Sequence, residues 1–313
     1  MSGAGEEAPL LHDLARGPSG GRAVWLRTRD GLRIRAAHWP GGTRGCVLLI
    51  PGRTEYIEKY GPAAADLAAR GFSTLVIDNR GQGMADRLLP DPLMGHVGRF
   101  ADYQLDLAAL SDALPALGWP VPDVILGHSM GGAIGLRALI EAPGRFRAAV
   151  FSAPMWGIRM SPLMAPVARV VGAAARAARL GARYAPTTSP VPYPLAVGFD
   201  DNTLTTDREM WDFMHDQVKA RPDLTLGGPS LHWLDAAMSE TRWLARQPLP
   251  PVPALVALGS RERIVDTEAV RRLASRWPAA RLMEVPGAEH EIMMEAPATR
   301  RAFYDAAAGV FGG

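Results

Sequence analysis

The segment Leu126-Gly127-His128-Ser129-Met130-Gly131-Gly132 constrains this chain more than any other. Asp123-Val124-Ile125-Leu126 leads into it, a short apolar run of the kind that forms a buried strand. Ala133 to Ile140 follows it, a helix-forming run that stops near Pro143-Gly144. Gly-x-Ser-x-Gly between a strand and a helix marks a sharp turn that lifts a serine hydroxyl above the end of a sheet. Gly127 and Gly131 are required because side chains two residues either side of the serine would collide with the neighbouring strand and helix. The pattern makes Ser129 a candidate nucleophile, against the alternative of an ordinary glycine-rich turn.

Around this turn the chain alternates between two periods. Residues 46–50, 73–78, 123–126, 148–152, 254–258 and 281–285 read as strands, separated by helical runs, which predicts a mostly parallel sheet. The run Cys46-Val47-Leu48-Leu49-Ile50 is apolar throughout, as suits a strand covered on both faces. Ahead of it, 23–28 and 32–39 flank Asp30-Gly31, a hairpin signal. Residues 1–21 are polar and glycine-rich and are expected to form a flexible segment. The alternation breaks after residue 152 and resumes only at 254–258, although a strand-helix-strand unit needs only about 30 residues. The expected organisation is therefore a core of 22–153 and 251–313 with a helical cap at 154–250. The cap is rich in methionine and tryptophan, among them Met155, Trp156, Met160, Met210, Trp211 and Trp233.

A serine nucleophile needs a base, and the base needs a carboxylate to orient it. In sheets with this turn the chain order is serine, acid, histidine. Of seven histidines, His290 alone lies downstream of Ser129 and just after a core strand, in Gly287-Ala288-Glu289-His290-Glu291. The strand at 254–258 leads to two candidate acids. Glu262, four residues past its end, is the better placed; Asp266 is the alternative, and it also fits a helix N-cap. Two backbone N–H groups should hold an oxyanion, one from Met130 and one from Arg53 in the loop after 46–50.

Other classes are disfavoured. The net charge is only +2, and no basic tract interleaves with aromatics, so nucleic acid is not an expected partner. No Cys/His cluster has metal-ligand spacing, and neither a metal nor an organic cofactor is expected. Cys46, the one cysteine, suits small core filling in a reducing compartment. No signal peptide and no membrane-spanning run is legible, so a cytoplasmic location is expected, with or without peripheral contact at the inner membrane face.

These motifs resemble the α/β-hydrolase superfamily, in particular its monoglyceride lipase and bacterial lysophospholipase branch, which are serine-aminopeptidase-like hydrolases. Gly127-His128-Ser129-Met130-Gly131-Gly132 is similar to that branch's nucleophile turn. Gly52-x-x-Glu55-x-x-x-Lys59-Tyr60 resembles its oxyanion loop, and Asp78-Asn79-Arg80-Gly81-Gln82-Gly83 the turn after its next strand. The resemblance spans about residues 25–311 and implies Ser129 as nucleophile, His290 as base and the Glu262 position as acid. The chain departs from the branch in having glutamate where aspartate is usual, and Pro51-Gly52 where histidine-glycine often stands. The second departure leans towards the lysophospholipase side.

The resemblance implies a serine hydrolase of lipid carboxyl esters, either lysophospholipids or monoacylglycerols. Two other readings stay open: an acyltransferase or thioesterase using the same triad, and a ligand-binding protein that keeps the fold without turnover. Within the cap, 162–184 reads as a helix. Val167, Val170, Val171, Ala174 and Ala178 lie on one stripe, and Arg169, Arg176, Arg179 and Arg183 on another. That face either meets an anionic membrane or is simply solvated. The sequence does not specify an oligomeric state.

Overall fold

A computed structural model of the chain describes residues 5–159 and 180–312. Nine strands form one sheet: β1 (Glu6–Ala8), β2 (Arg22–Arg27), β3 (Arg33–Trp39), β4 (Gly45–Ile50), β5 (Phe72–Asp78), β6 (Val124–His128), β7 (Ala148–Ser152), β8 (Ala254–Gly259) and β9 (Ala280–Val285). Their spatial order is β1-β2-β3-β5-β4-β6-β7-β8-β9. The pairings among β1, β2, β3 and β5 are antiparallel, and every pairing from β5 onward is parallel. The Asp30-Gly31 hairpin joins β2 to β3, with Gly31 at φ +90° and Thr28 N–H donating to the Leu32 carbonyl.

Alternation along the strands builds two apolar layers. Leu48, Ile50, Ile125, Phe151 and Val256 face helices Tyr103–Leu117, Met130–Glu141 and Thr267–Ser275. Val47, Leu49, Leu126, Val150 and Leu255 face helices Gly61–Ala68 and Pro297–Phe311. Burying both faces removes the central strands from water, which is why they read as unbroken apolar runs. Cys46 is buried in the first layer, and burial pushes its thiol up to about 12, consistent with inert packing.

The described part of the 1–21 segment, expected to be flexible, is packed against the sheet. β1 extends the sheet beside β2, and Ala8 and Ala15 are buried. Arg35 lies on β3 between Glu58 (2.7 Å) and Asp78 (2.8 Å), and its Nη1 also donates to the Pro9 carbonyl at 2.8 Å. Gln217 donates to the Leu14 carbonyl at 2.7 Å. Beside the buried Ala8 and Ala15, these contacts use backbone groups of the segment, which composition does not report.

Between β7 and β8 the described residues include helices Tyr193–Ala196, Arg208–Ala220 and Leu231–Leu244. Met210, Trp211, Phe213 and Met214 pack with Met294 of the core in a separate cluster, and Trp156 and Trp233 join the first sheet layer. Most of the expected 162–184 helix lies outside the described residues; 180–184 are turn and bridge, with Tyr184 pairing to Ser230. Among the described residues no helix is long and apolar enough to cross a membrane.

Candidate active site

Ser129 stands between β6 and the Met130–Glu141 helix at φ +48°, ψ −115°, a conformation that costs a non-glycine residue about 1–3 kcal/mol. The surroundings enforce it. Ser129 N–H donates to the Ser152 carbonyl (3.0 Å), and the Ser129 carbonyl accepts from Gly132 (2.9 Å) and Met155 (2.8 Å). A Cβ at Gly131 would lie 1.9 Å from the Ile50 carbonyl oxygen, and one at Gly127 2.6 Å from that of Gly131. The two glycines are thus required by close backbone approach.

His290 lies in the loop after β9, and its Nδ1 is 2.7 Å from Glu262 Oε2. Glu262 follows β8, and its other oxygen, Oε1, accepts from the Ile264 and Val265 N–H groups at 2.6 and 3.1 Å. Burial alone would push this carboxyl up. His290 and the two backbone donors outweigh burial and hold it below its ordinary 4.5. Asp266 does not meet His290 in any described hydrogen bond or ion pair. It caps the Thr267–Ser275 helix, accepting from Ala269 N–H at 3.0 Å. Of the two candidate acids, the fold brings Glu262 to the histidine.

Ser129 and His290 line one cavity of about 400 Å³. Arg53, Met155, Trp233 and Val265 are also on its wall. Met130, buried, opens the helix directly after Ser129. The loop bearing Arg53 is fixed at several points. Glu55 Oε2 accepts from the Gly52 N–H and the Tyr60 hydroxyl. Gln82 donates to the Gly52 carbonyl at 2.9 Å and accepts from Thr54 N–H at 3.0 Å, and Thr54 itself sits at φ +68°. The Arg53 side chain turns towards the 225–233 stretch and donates to the Gly227 carbonyl at 2.9 Å.

Sequence reasoning missed a buried charge cluster on the wall of this cavity. Lys59 Nζ lies 2.5 Å from Glu55 Oε1 and 2.7 Å from Glu291 Oε1, and His128 Nε2 is 3.2 Å from Glu291 Oε2. Burial disfavours charge on His128, but Glu291 and Glu55 more than offset it and raise its pKa above the usual 6.5. Glu291 is held well below 4.5 because His128 and Lys59 outweigh its burial. Glu55, His128 and Glu291 converge as a metal-binding set would. The Lys59 ammonium already bridges the two carboxylates, so a cation is built into the chain at that point. The signal was present as an i,i+4 Glu55/Lys59 pair, a spacing that usually marks a solvated helix face.

Residues 41–297 match the family model described as serine aminopeptidase, S33. The chain is 36% identical over 279 residues to lysophospholipase L2 of Escherichia coli strain K12, covering 86% of this chain and 79% of that protein. It is 26% identical to a monoacylglycerol lipase of Mycolicibacterium smegmatis, covering 85% and 88%. Among solved structures, a soluble variant of the Saccharomyces cerevisiae monoglyceride lipase superposes with a TM-score of 0.70 at 19% identity, over 91% of this chain and 93% of that one.

Proposed function

The chain belongs to the serine aminopeptidase S33 family of α/β-hydrolases, and from that premise we propose that it is a carboxylic ester hydrolase acting on lipid esters, lysophospholipids or monoacylglycerols. Ser129 is the nucleophile, His290 the base and Glu262 the acid. Ser129 Oγ attacks the ester carbonyl as His290 Nε2 takes its proton, and Glu262 holds the imidazole with its proton on Nδ1. The Arg53 and Met130 N–H groups receive the oxyanion, a type of contact whose loss costs about 3–4 kcal/mol in the barrier. The ester C–O bond breaks, the alcohol leaves with the proton from His290, and an acyl group remains on Ser129. Water, deprotonated by the same histidine, then releases the fatty acid.

The observation that carries this reading is the 2.7 Å Glu262–His290 contact in a site whose cavity is lined by both His290 and Ser129. Residues 154–250 form the cap of this cavity, a reading supported by Tyr193, Met214, Trp233 and Leu234 on its wall. Contact between the cap and a membrane surface belongs to the same reading and rests on the arginine and apolar stripes of 162–184. The test is labelling with a fluorophosphonate, which forms an adduct at activated serines. An adduct on Ser129, absent in S129A together with hydrolysis of lysophospholipid and monoacylglycerol, is the expected result. Wild-type rates in S129A refute the reading.

A further inference from the structure

Two cations border the cavity, and they differ in what surrounds them. Lys59 lies between Glu55 and Glu291. Arg53 has no such partner. Its Nη1 donates to the Gly227 carbonyl at 2.9 Å, and its guanidinium lies 5.7 Å from the centre of the Trp233 ring. Every Asp and Glu of the chain is among the described residues, because 1–4 and 160–179 contain none, and Arg53 forms no ion pair among the described residues. Glu55, the neighbouring carboxylate, is already occupied: Oε1 by Lys59, and Oε2 by the Gly52 N–H and the Tyr60 hydroxyl. Burial lowers the Arg53 pKa to about 10, so the side chain is still charged at neutral pH. Arg53 is half-buried, and an unpaired guanidinium with unfilled donors on a cavity wall is arranged to receive an anion.

We infer that Arg53 is the specificity-determining residue for an anionic head group, its guanidinium receiving the phosphodiester of a lysophospholipid whose ester lies at Ser129. This rests on the ester-hydrolase reading above. The forked N–H groups of arginine match two non-bridging phosphate oxygens, whereas a monoacylglycerol offers only hydroxyls and leaves the charge uncompensated. The geometry suits the division of labour. The backbone of Arg53 lies in the loop that faces the ester, and its side chain runs from there to Gly227 and Trp233, so the glycerol backbone spans one side-chain length. Met155, Ile158, Met214, Leu234 and Val265 give the wall an apolar stretch, as an acyl chain requires, and the two wall carboxylates, Glu55 and Glu291, are held by Lys59.

The test compares wild type, R53Q and R53K on lysophosphatidylcholine and on a monoacylglycerol with the same acyl chain. Thermal unfolding confirms that each variant is folded. Wild type should favour the lysophospholipid. R53Q should shift kcat/KM against it by about 10–100-fold relative to the monoacylglycerol, the range for hydrogen bonds to charged groups, chiefly through KM. R53K should recover part of the preference. Equal losses on both lipids would assign Arg53 to holding its loop and overturn the inference, as would a wild type that prefers monoacylglycerol. Glycerophosphocholine should compete and inorganic phosphate should not; competition by inorganic phosphate alone would mark a free-anion site and overturn it also. No turnover of either lipid, with no fluorophosphonate adduct at Ser129, would overturn the hydrolase reading itself and this inference with it.

Discussion

Replacing Glu262 with glutamine tests the acid assignment at nearly constant volume. The carboxamide of E262Q has two orientations. In one, its carbonyl keeps the Ile264 and Val265 donors now at 2.6 and 3.1 Å, and its NH₂ faces His290 Nδ1. Nδ1 must then accept, the proton moves to Nε2, and the imidazole can no longer take a proton from Ser129. In the other, the carbonyl faces His290 and preserves the productive tautomer, but the NH₂ confronts two backbone donors. Losing both bonds costs about 2–6 kcal/mol at about 1–3 each. That corresponds to roughly 30- to 10⁴-fold in rate at about 1.4 kcal/mol per tenfold. We expect kcat/KM on a soluble p-nitrophenyl ester to drop by a factor within this window while E262Q still unfolds cooperatively in urea. D266A is the contrast: it removes a helix cap, costs about 0.5–2 kcal/mol of stability, and leaves hydrolysis near wild type. An E262Q enzyme within threefold of wild type, or a D266A enzyme that is folded yet inactive, would refute the assignment.

Two further expectations concern stability. K59M removes the ammonium between the buried Glu55 and Glu291, leaving His128 as the cation beside them, and should cost about 3–5 kcal/mol in urea unfolding. The loss should shrink at acid pH as one carboxylate takes up a proton, and a loss below about 1 kcal/mol at neutral pH would show that the cluster is not under this load. Glu262 and Glu291 both have folded values below their ordinary 4.5, so their stabilisation is present above that pH and is lost as pH falls through the depressed folded values. Unfolding free energy should therefore fall steeply below about 4.5, with a shallower slope in E262Q; equal slopes would count against the carboxylate's role.

The parts of this fold legible in the sequence are those whose cause is local. The apolar runs of β4 to β8 announce a doubly covered sheet because each strand contributes to two cores at once. The turn at Ser129 is legible because only glycine tolerates 1.9 Å and 2.6 Å approaches at 131 and 127. Local reasoning left Glu262 and Asp266 both open as acids, since each lies shortly after β8 and only the path of the β9 loop selects between them. β1 was illegible for a different reason. It is three residues long with two exposed side chains, and it is held by pairing to β2 and, just past its end, by a guanidinium from β3 that donates to the Pro9 carbonyl. No periodicity can report a bond between a side chain and a distant carbonyl.

The buried cluster shows what topology adds to those local signals. The proposed site draws on four loops, at the carboxyl ends of β4, β6, β8 and β9, and those after β4, β6 and β9 each place a charged group beside the functional residue. Glu55 lies two positions after Arg53, His128 one before Ser129, and Glu291 one after His290. Lys59 bridges the two carboxylates, and His128 pairs with Glu291 between them. Such a cluster is a poor source of net stability, because desolvation consumes most of the Coulombic gain. Its effect is geometric. A shift of any one loop separates buried opposite charges, so the loops that carry nucleophile, base and oxyanion donor are confined to one relative arrangement. A neutral apolar core at the same place would allow the three loops to slide past one another at much smaller cost.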